Sequence, residues 1–404
     1  MHDTTATALT DTAVSRAKMA LLAGVFVAGI GNSFVFAILP PLGREMGFAE
    51  LQIGSIITAS AIVFMLSAPI WGHRSEVMGR KPVILFALVS FAVTIVLFAI
   101  VVQLRLAGTL SLLITYILLV LMRVLFAGGI SGIFPCSQAY MADITKPEDR
   151  TAALSLIGIA MGVGMIMGPG VAAAFSGFGL ILPFYAVAAL ALPAVLLASA
   201  YILEQPRHVH PQDEPPESIR KLELLPLLCI STFVMICLSS IQQASGFYFQ
   251  DKFDLTAGET ARAVGVALMA SGFASVSAQI IFVQRLGLSP RTLLRMGVPC
   301  SFAGVFLLMT MDSYPMLVVA MGCFGLGMGQ IMPGTIASVS MKAGLHQQGS
   351  IAGINTSAQG LGFIIGPLLG SGLYTVHPLL PYRICLGLLG LLLINVYFIA
   401  RLPR

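Results

Sequence analysis

Residues 83–103 read VILFALVSFAVTIVLFAIVVQ, a run of apolar residues without a single charge. A helix rises about 1.5 Å per residue, so roughly 20 such residues cross the hydrocarbon core of a bilayer. Moving outward from this segment, eleven more stretches of the same kind lie at 19–41, 52–72, 111–141, 152–175, 180–203, 224–248, 261–283, 294–311, 315–340, 351–374 and 380–400. The 404-residue chain as a whole agrees: 57% is hydrophobic and only 10% charged, where a soluble domain carries about 25% charged residues. Water cannot be kept from that much apolar surface by a soluble fold. Within lipid the backbone must satisfy its own hydrogen bonds, and these stretches are too long for barrel strands. The expectation is an all-α polytopic membrane protein with twelve transmembrane helices. The 41 glycines and 22 prolines suit helices that approach one another closely in lipid.

The remaining charges set the topology. If the spans alternate, sixteen of the 22 Lys and Arg residues fall on the side of the N-terminus, among them Arg74, Arg80, Lys81 and Arg150. Arg44, Arg105, Lys252, Arg262 and Arg383 fall on the other side, and Arg123 lies within a span. Lys and Arg concentrate in cytoplasmic loops. Both termini are therefore expected on the cytoplasmic side of a bacterial inner membrane. Residues 1–18 read as a polar cytoplasmic tail, without the pattern of a cleaved signal. Residues 204–222, EQPRHVHPQDEPPESIRKL, read as a flexible cytoplasmic linker between bundles 19–203 and 223–404. The net charge of +5 sits in short loops and points to the lipid bilayer, with no nucleic-acid partner. The six cysteines lie in apolar stretches, away from metal-ligand spacing, and read as small buried hydrophobes. No metal site is expected.

The two halves repeat. A shift of 198 residues lays Gly162, Gly164, Gly168-Pro169 and Pro183 onto Gly360, Gly362, Gly366-Pro367 and Pro381, and Gly129 and Pro135 onto Gly327 and Pro333. A shift of 211 lays Gly54, Ala59 and Ser60 onto Gly265, Ala270 and Ser271. Two pseudo-symmetric six-helix bundles in the same orientation are what a duplicated carrier would give.

Three motifs carry a resemblance to a known family. The loop between spans 2 and 3 reads Gly72-His73-Arg74-Ser75-Glu76-Val77-Met78-Gly79-Arg80-Lys81-Pro82. Span 5 carries Gly158, Gly162, Gly164, Gly168, Pro169 and Gly170, and span 4 places Arg123 in LVLMRVLFAGGISGIFPCSQAYMAD. Over nearly its whole length the chain resembles the major facilitator superfamily, and within it the tetracycline-exporter type of drug/proton antiporter. The resemblance implies that Gly72, Glu76, Gly79, Arg80 and Lys81 latch the halves on the cytoplasmic side. It also implies a bending or sliding role for Gly164, Gly168 and Pro169, with Gly366 and Pro367 as their counterparts. The chain departs from the family in two places. It has Glu76 and Val77 where Asp and Arg are usual, and Phe126 and Ala127 where span 4 usually has Gln and Gly.

An ionisable residue within a span is costly and marks a functional position. Arg123 is such a residue, and all seventeen acids lie outside the spans or at their ends. Exporters of cationic drugs in this branch usually keep an acid in span 1 or 4, where this chain has Ala28, Gly31, Asn32 and Ser33. A lone arginine favours an anionic or zwitterionic small-molecule substrate, since guanidinium binds carboxylate with two parallel hydrogen bonds. The expected site therefore groups Arg123 with Asn32, Gln138, Gln242, Gln243, Tyr248, Gln330 and Asn355. Asp143 is the candidate for proton coupling. A proton gradient is the one driving agent expected, without a cofactor. No catalytic residues are nominated: the chain has no G-x-x-x-x-G-K-[ST] loop and no carboxylate or His cluster in its spans. The resulting expectation is a monomeric secondary transporter exporting a small organic compound, either a drug or a carboxylated metabolite such as a siderophore, by alternating access. An importer of an organic anion on the same fold is the alternative. A non-transporting membrane sensor is the remote one, because no stretch resembles an output domain.

Overall fold

The computed structural model describes residues 11–146, 149–203, 221–310, 312–341 and 348–399. The first ten residues of the expected tail, and the expected linker as far as residue 220, lie outside the described residues. Among the described residues twelve long helices follow one another. The first six are α1 (Asp11–Glu45), α2 (Glu50–Met78), α3 (Arg80–Leu106), α4 (Leu112–Ile130, continued by Ile133–Asp143), α5 (Arg150–Phe175) and α6 (Leu182–Tyr201). The second six are α7 (Lys221–Phe253), α8 (Ala257–Ala278), α9 (Pro290–Thr310), α10 (Tyr314–Ser340), α11 (Gln348–Val376) and α12 (Leu380–Ile394). Among the described residues, eleven helices are long and apolar enough to cross a membrane. Helix α11 has the length but is diluted by Gly, Ser, Asn and Gln.

The expected span 111–141 is met by one span, Leu112–Asp143. Its hydrogen-bond ladder is interrupted at Ser131-Gly132, although both residues keep helical backbone angles, because Pro135 has no N–H to give the Ser131 carbonyl. There a Cβ on Gly132 would stand 2.7 Å from Cβ of Trp71, so α4 runs close against α2.

The repeat in the sequence reappears in the packing. Helix α1 lies on α5 and α6 and α3 on α4 and α6, while α7 lies on α11 and α12 and α9 on α10 and α12. Lipid supplies no hydrophobic drive between helices, so close backbone approach must do the work. At the α1–α5 crossing a Cβ on Gly29 would come within 3.0 Å of Cα of Gly164. At the α7–α11 crossing, Gly362 meets the carbonyl of Thr232 in the same way.

The halves touch through α2 with α11, α5 with α8, and α1 with α7 and α8. These contacts lie away from the basic loop 72–82, toward what is called here the far end. Nearer the basic end, Gly158, Gly162 and Gly353 have nothing within 4 Å of the position a Cβ would take. The contacts that join the two halves gather toward the far end.

A single residue, Gly79, turns the chain from α2 into α3, with φ +98° and ψ 152°. That backbone region is open to glycine and strained for any other residue. Gly79→Ala is expected to cost about 1–3 kcal/mol, read as a fall in the thermal midpoint of the purified protein. An unchanged midpoint would mean that the turn relaxes without strain.

Candidate functional site

The far end is closed by a cluster that joins four helices. Arg44, in the last turn of α1, donates through Nη1 and Nη2 to the two carboxylate oxygens of Asp251 at 2.6 and 3.1 Å. Its Nε and Nη2 donate to Oε1 of Glu50 at 3.1 and 2.7 Å, and Nη1 reaches Oε1 of Gln250 at 3.3 Å. The guanidinium lies over the rings of Phe247 and Tyr374, at 4.9 and 5.5 Å from their centroids. The Tyr374 hydroxyl donates to Asp251 at 2.7 Å. Arg44 and Glu50 belong to the first half; Phe247, Gln250, Asp251 and Tyr374 belong to the second. Two-point arginine–carboxylate contact fixes geometry as well as supplying energy. Beside this gate a recess of about 850 Å³ opens, lined in part by Arg44, Glu45, Gln250 and Thr256. Sequence reasoning missed the gate, counting its charges only as loop charges. The available signal was the opposite sign of Arg44 and Asp251 at the same ends of α1 and α7, the first spans of the two halves.

Just inside the gate, the Gly-Pro segments work on two faces. Gly168 faces its own bundle, where a Cβ would stand 2.6 Å from the carbonyl of Ile30 in α1. Gly366 likewise faces α7, 2.9 Å from the carbonyl of Ile236. The proline carbonyls point across the seam. That of Pro169 presses on Gly265, and that of Pro367 lies 2.7 Å from where a Cβ on Gly54 would be. Thr58 of α2 also donates to the carbonyl of Ile364 at 3.0 Å. Gly54 and Gly265 are the pair related by the 211-residue shift, so the two seams are built alike.

The expected substrate residues divide. Asn32 and Gln242 are half-buried on α1 and α7, helices that touch the opposite half, and Gln138 is exposed. The others are committed inside one half. Gln243 donates to Ser371 at 3.2 Å, and its Oε1 has no partner. Tyr248 donates to the carbonyl of Leu308 at 3.3 Å and receives Lys252 at 3.0 Å. Asn355 accepts from Ser231 at 2.5 Å, and Gln330 donates to its own helix at Leu326.

Arg123 differs from the expectation in direction. It is 6% exposed, with its guanidinium 4.6 Å from the ring centroid of Phe126. The recess that it enters is walled by Phe34 of α1, Thr94 and Phe98 of α3, and Phe184 of α6. All of these are in the first half. The grouping of Arg123 with the span-7 glutamines at the boundary between halves is therefore not met in this structure. The reason is the packing of α4 on α2 and α3, which turns the Arg123 face into its own bundle.

The basic loop also works within one half. Arg80 donates to Ser75 at 2.6 Å and lies 3.5 Å from a carboxylate oxygen of Asp143. Lys81 donates to the carbonyl of Ser199 at 2.8 Å, and Glu76 is exposed, 3.5 Å from His73. Gly72 lies close to Pro135, also in the first half. Asp143, the candidate for proton coupling, is thus engaged by Arg80.

Comparison with known proteins agrees with this architecture. The family model described as Major Facilitator Superfamily matches residues 21–367, with a second match over 281–404. The chain is 28% identical over 373 residues to "Multidrug resistance protein 1" of Bacillus subtilis (strain 168), covering 90% of each chain. It is 22% identical over 373 residues to "Quinolone resistance protein NorA" of Staphylococcus aureus (strain MSSA476), covering 90% of this chain and 91% of that one. A crystal structure of the nucleoside transporter NupG superposes with a TM-score of 0.73 at 15% identity, over 94% of this chain and 98% of that one. With the family's match spanning most of its length, and with two like six-helix halves joined at one end, the chain belongs to the major facilitator superfamily of multi-pass membrane transporters.

Proposed function

We propose that the chain exports a small organic compound from a bacterial cell through its inner membrane by alternating access, as a monomer drawing on the proton gradient. The observation that carries this reading is the asymmetry between the two ends. The halves are joined at the far end by the Arg44 cluster and two glycine seams, and the contacts between them gather there. By the positive-inside rule the basic end is cytoplasmic, with both termini there. On this reading the far-end contacts belong to an inward-facing state that loads from the cytoplasm. Export is further supported by the names of the relatives, which are resistance proteins.

Asn32, Gln138 and Gln242 are the nominated residues with surface left to meet a substrate. No acid stands near mid-span among the described residues, so nothing there attracts a cation or repels a carboxylate. An anionic or zwitterionic compound is the class we propose, met in the gap by the amides of Asn32, Gln138 and Gln242 and not by Arg123, which faces its own half. The test is paired transport in both directions. Cells expressing the protein should clear a preloaded compound faster than controls, with a rate that falls when the proton gradient is collapsed. Faster uptake, without faster clearance, would establish the importer instead.

A further inference from the structure

The 211-residue repeat reaches the basic end of the molecule, but only in part. It lays Arg74 and Arg80 of the first half onto Arg285 and Arg291 of the second. The groups that hold Arg80 are not repeated. In the first half Arg80 donates to Ser75 at 2.6 Å and stands 3.5 Å from Asp143. The same shift puts Leu286 in the place of Ser75, and the 198-residue shift puts Met341 in the place of Asp143. A further arginine, Arg295, stands where the first half has the buried Ile84. Beyond Glu259 the chain has a single acid, Asp312, which pairs with Lys252 at the far end. No carboxylate among the described residues pairs with Arg285, Arg291 or Arg295. Topology alone explains cations at this end. It does not explain why their acids are missing.

Arg295 shows where a countercharge would come from. Its Nε is buried without a partner, and its guanidinium rests on the ring of Tyr397, 5.1 Å from the centroid. The Tyr397 hydroxyl donates back to the Arg295 carbonyl at 2.9 Å, which ties α9 to the turn Asn395–Ile399 that follows α12. By the helical rise, Arg295 lies about 8 Å in from the start of α9, and tyrosine favours the boundary between headgroups and acyl chains. Helix α9 packs on α10 and α12, and α12 on α7, α9 and α11, all within the second half. Met296, Phe306, Leu391 and Ile394 of this pair are exposed. In a membrane-spanning chain such side chains meet lipid tails. Three arginines therefore stand at headgroup depth beside an apolar face. A soluble anion would use the first feature alone, whereas an anionic lipid uses both. Guanidinium also matches phosphate with two parallel hydrogen bonds.

We propose that an anionic phospholipid of the leaflet at the basic end seats its phosphate among Arg285, Arg291 and Arg295, with its chains on α9 and α12. It supplies the countercharge that Asp143 provides in the first half. The site does not rest on the transport reading, and neither stands or falls with the other. Native mass spectrometry of the full chain tests it, from micelles holding phosphatidylglycerol and phosphatidylcholine in equal amounts. The parent should retain phosphatidylglycerol over phosphatidylcholine by about fivefold or more. Arg291→Gln with Arg295→Gln should lose most of that preference. Arg74→Gln with Arg150→Gln, which removes as much charge from the first half, should keep it. Equal retention of the two lipids by the parent would overturn the proposal. So would a preference that the Arg291 pair does not lower, or that both pairs lower alike. Displacement of the lipid by glycerol phosphate in solution would also reject it, since the occupant would then be a soluble anion. Should the Arg295 variant not fold, Arg285→Gln with Arg291→Gln, which leaves the Arg295–Tyr397 stack in place, carries the same comparison.

Discussion

Replacing Gly265 with valine is expected to cut transport about fivefold or more while leaving a folded, membrane-inserted protein. The contact involved exists only while the far end is shut. A Cβ at this position would fall on the carbonyl of Pro169 and stand 2.8 Å from Cβ of Ala173. Neither can move aside alone, because both belong to α5, which is held on α1 by the Gly29–Gly164 crossing. The seam must widen instead. Overpacking of this kind costs about 1–3 kcal/mol, which moves a two-state balance by roughly 5- to 150-fold. The shift runs toward the state open at the far end, where α5 and α8 no longer meet. Gly168→Val makes the contrast, since its clash is with the backbone of α1 inside one half, a contact that both states need. That variant should lose thermal stability, whereas Gly265→Val should lose alternation. Spin labels at the exposed Phe178 and Val376, in a background without the native cysteines, would report the far-end distance. A Gly265→Val protein with the parent's distance distribution and the parent's transport rate would refute the seam.

Much of this was legible in the chain before any coordinates. Segments such as 83–103 leave a helix in lipid as the single choice, and the shifted glycine and proline pairs disclose the two like halves. Spacing also brought out Gly54 and Gly265 as a pair, though not what they touch. The direction of a side chain around its helix axis was not legible where every face is apolar. Helix α4 shows this: its residues are hydrophobic all round, so nothing in the pattern tells whether Arg123 looks toward the other half or into its own. On α7 and α11 the difficulty is the reverse, since polar residues are spread along both helices and nothing in the pattern singles out the inward commitment of Tyr248 and Asn355. The gate was missed for another reason. Its members stand 207 residues apart in sequence, at helix ends, where a charge ordinarily means no more than contact with water.

Removing either side of that gate is expected to have the second large effect. Arg44→Ala leaves the carboxylates of Glu50 and Asp251 facing each other without a cation, and Asp251→Ala leaves Arg44 ion-paired only to Glu50 of its own half, with Gln250 and two rings as its remaining contacts across the seam. Asp251 is 46% exposed, so solvent screens the pair, and its coupling should be about 1–2 kcal/mol. A double-mutant cycle read on the same far-end distance measures this directly. Each single variant should raise the far-end-open population roughly 5- to 30-fold, and the double variant should add little to either. High salt should weaken the parent's closure and leave the double variant unmoved. Strictly additive effects, or closure indifferent to salt, would show that the glycine seams alone hold the far end. The modest size of this energy is itself mechanistic. A transporter must break its gate once in every cycle, and ions at a partly wetted rim regain water when they separate. An apolar plug in the same place would lose its burial energy on opening with nothing to offset it. At about 1–2 kcal/mol, the Arg44 cluster is strong enough to bias which state is populated, yet weak enough for differential binding of a substrate to reverse it.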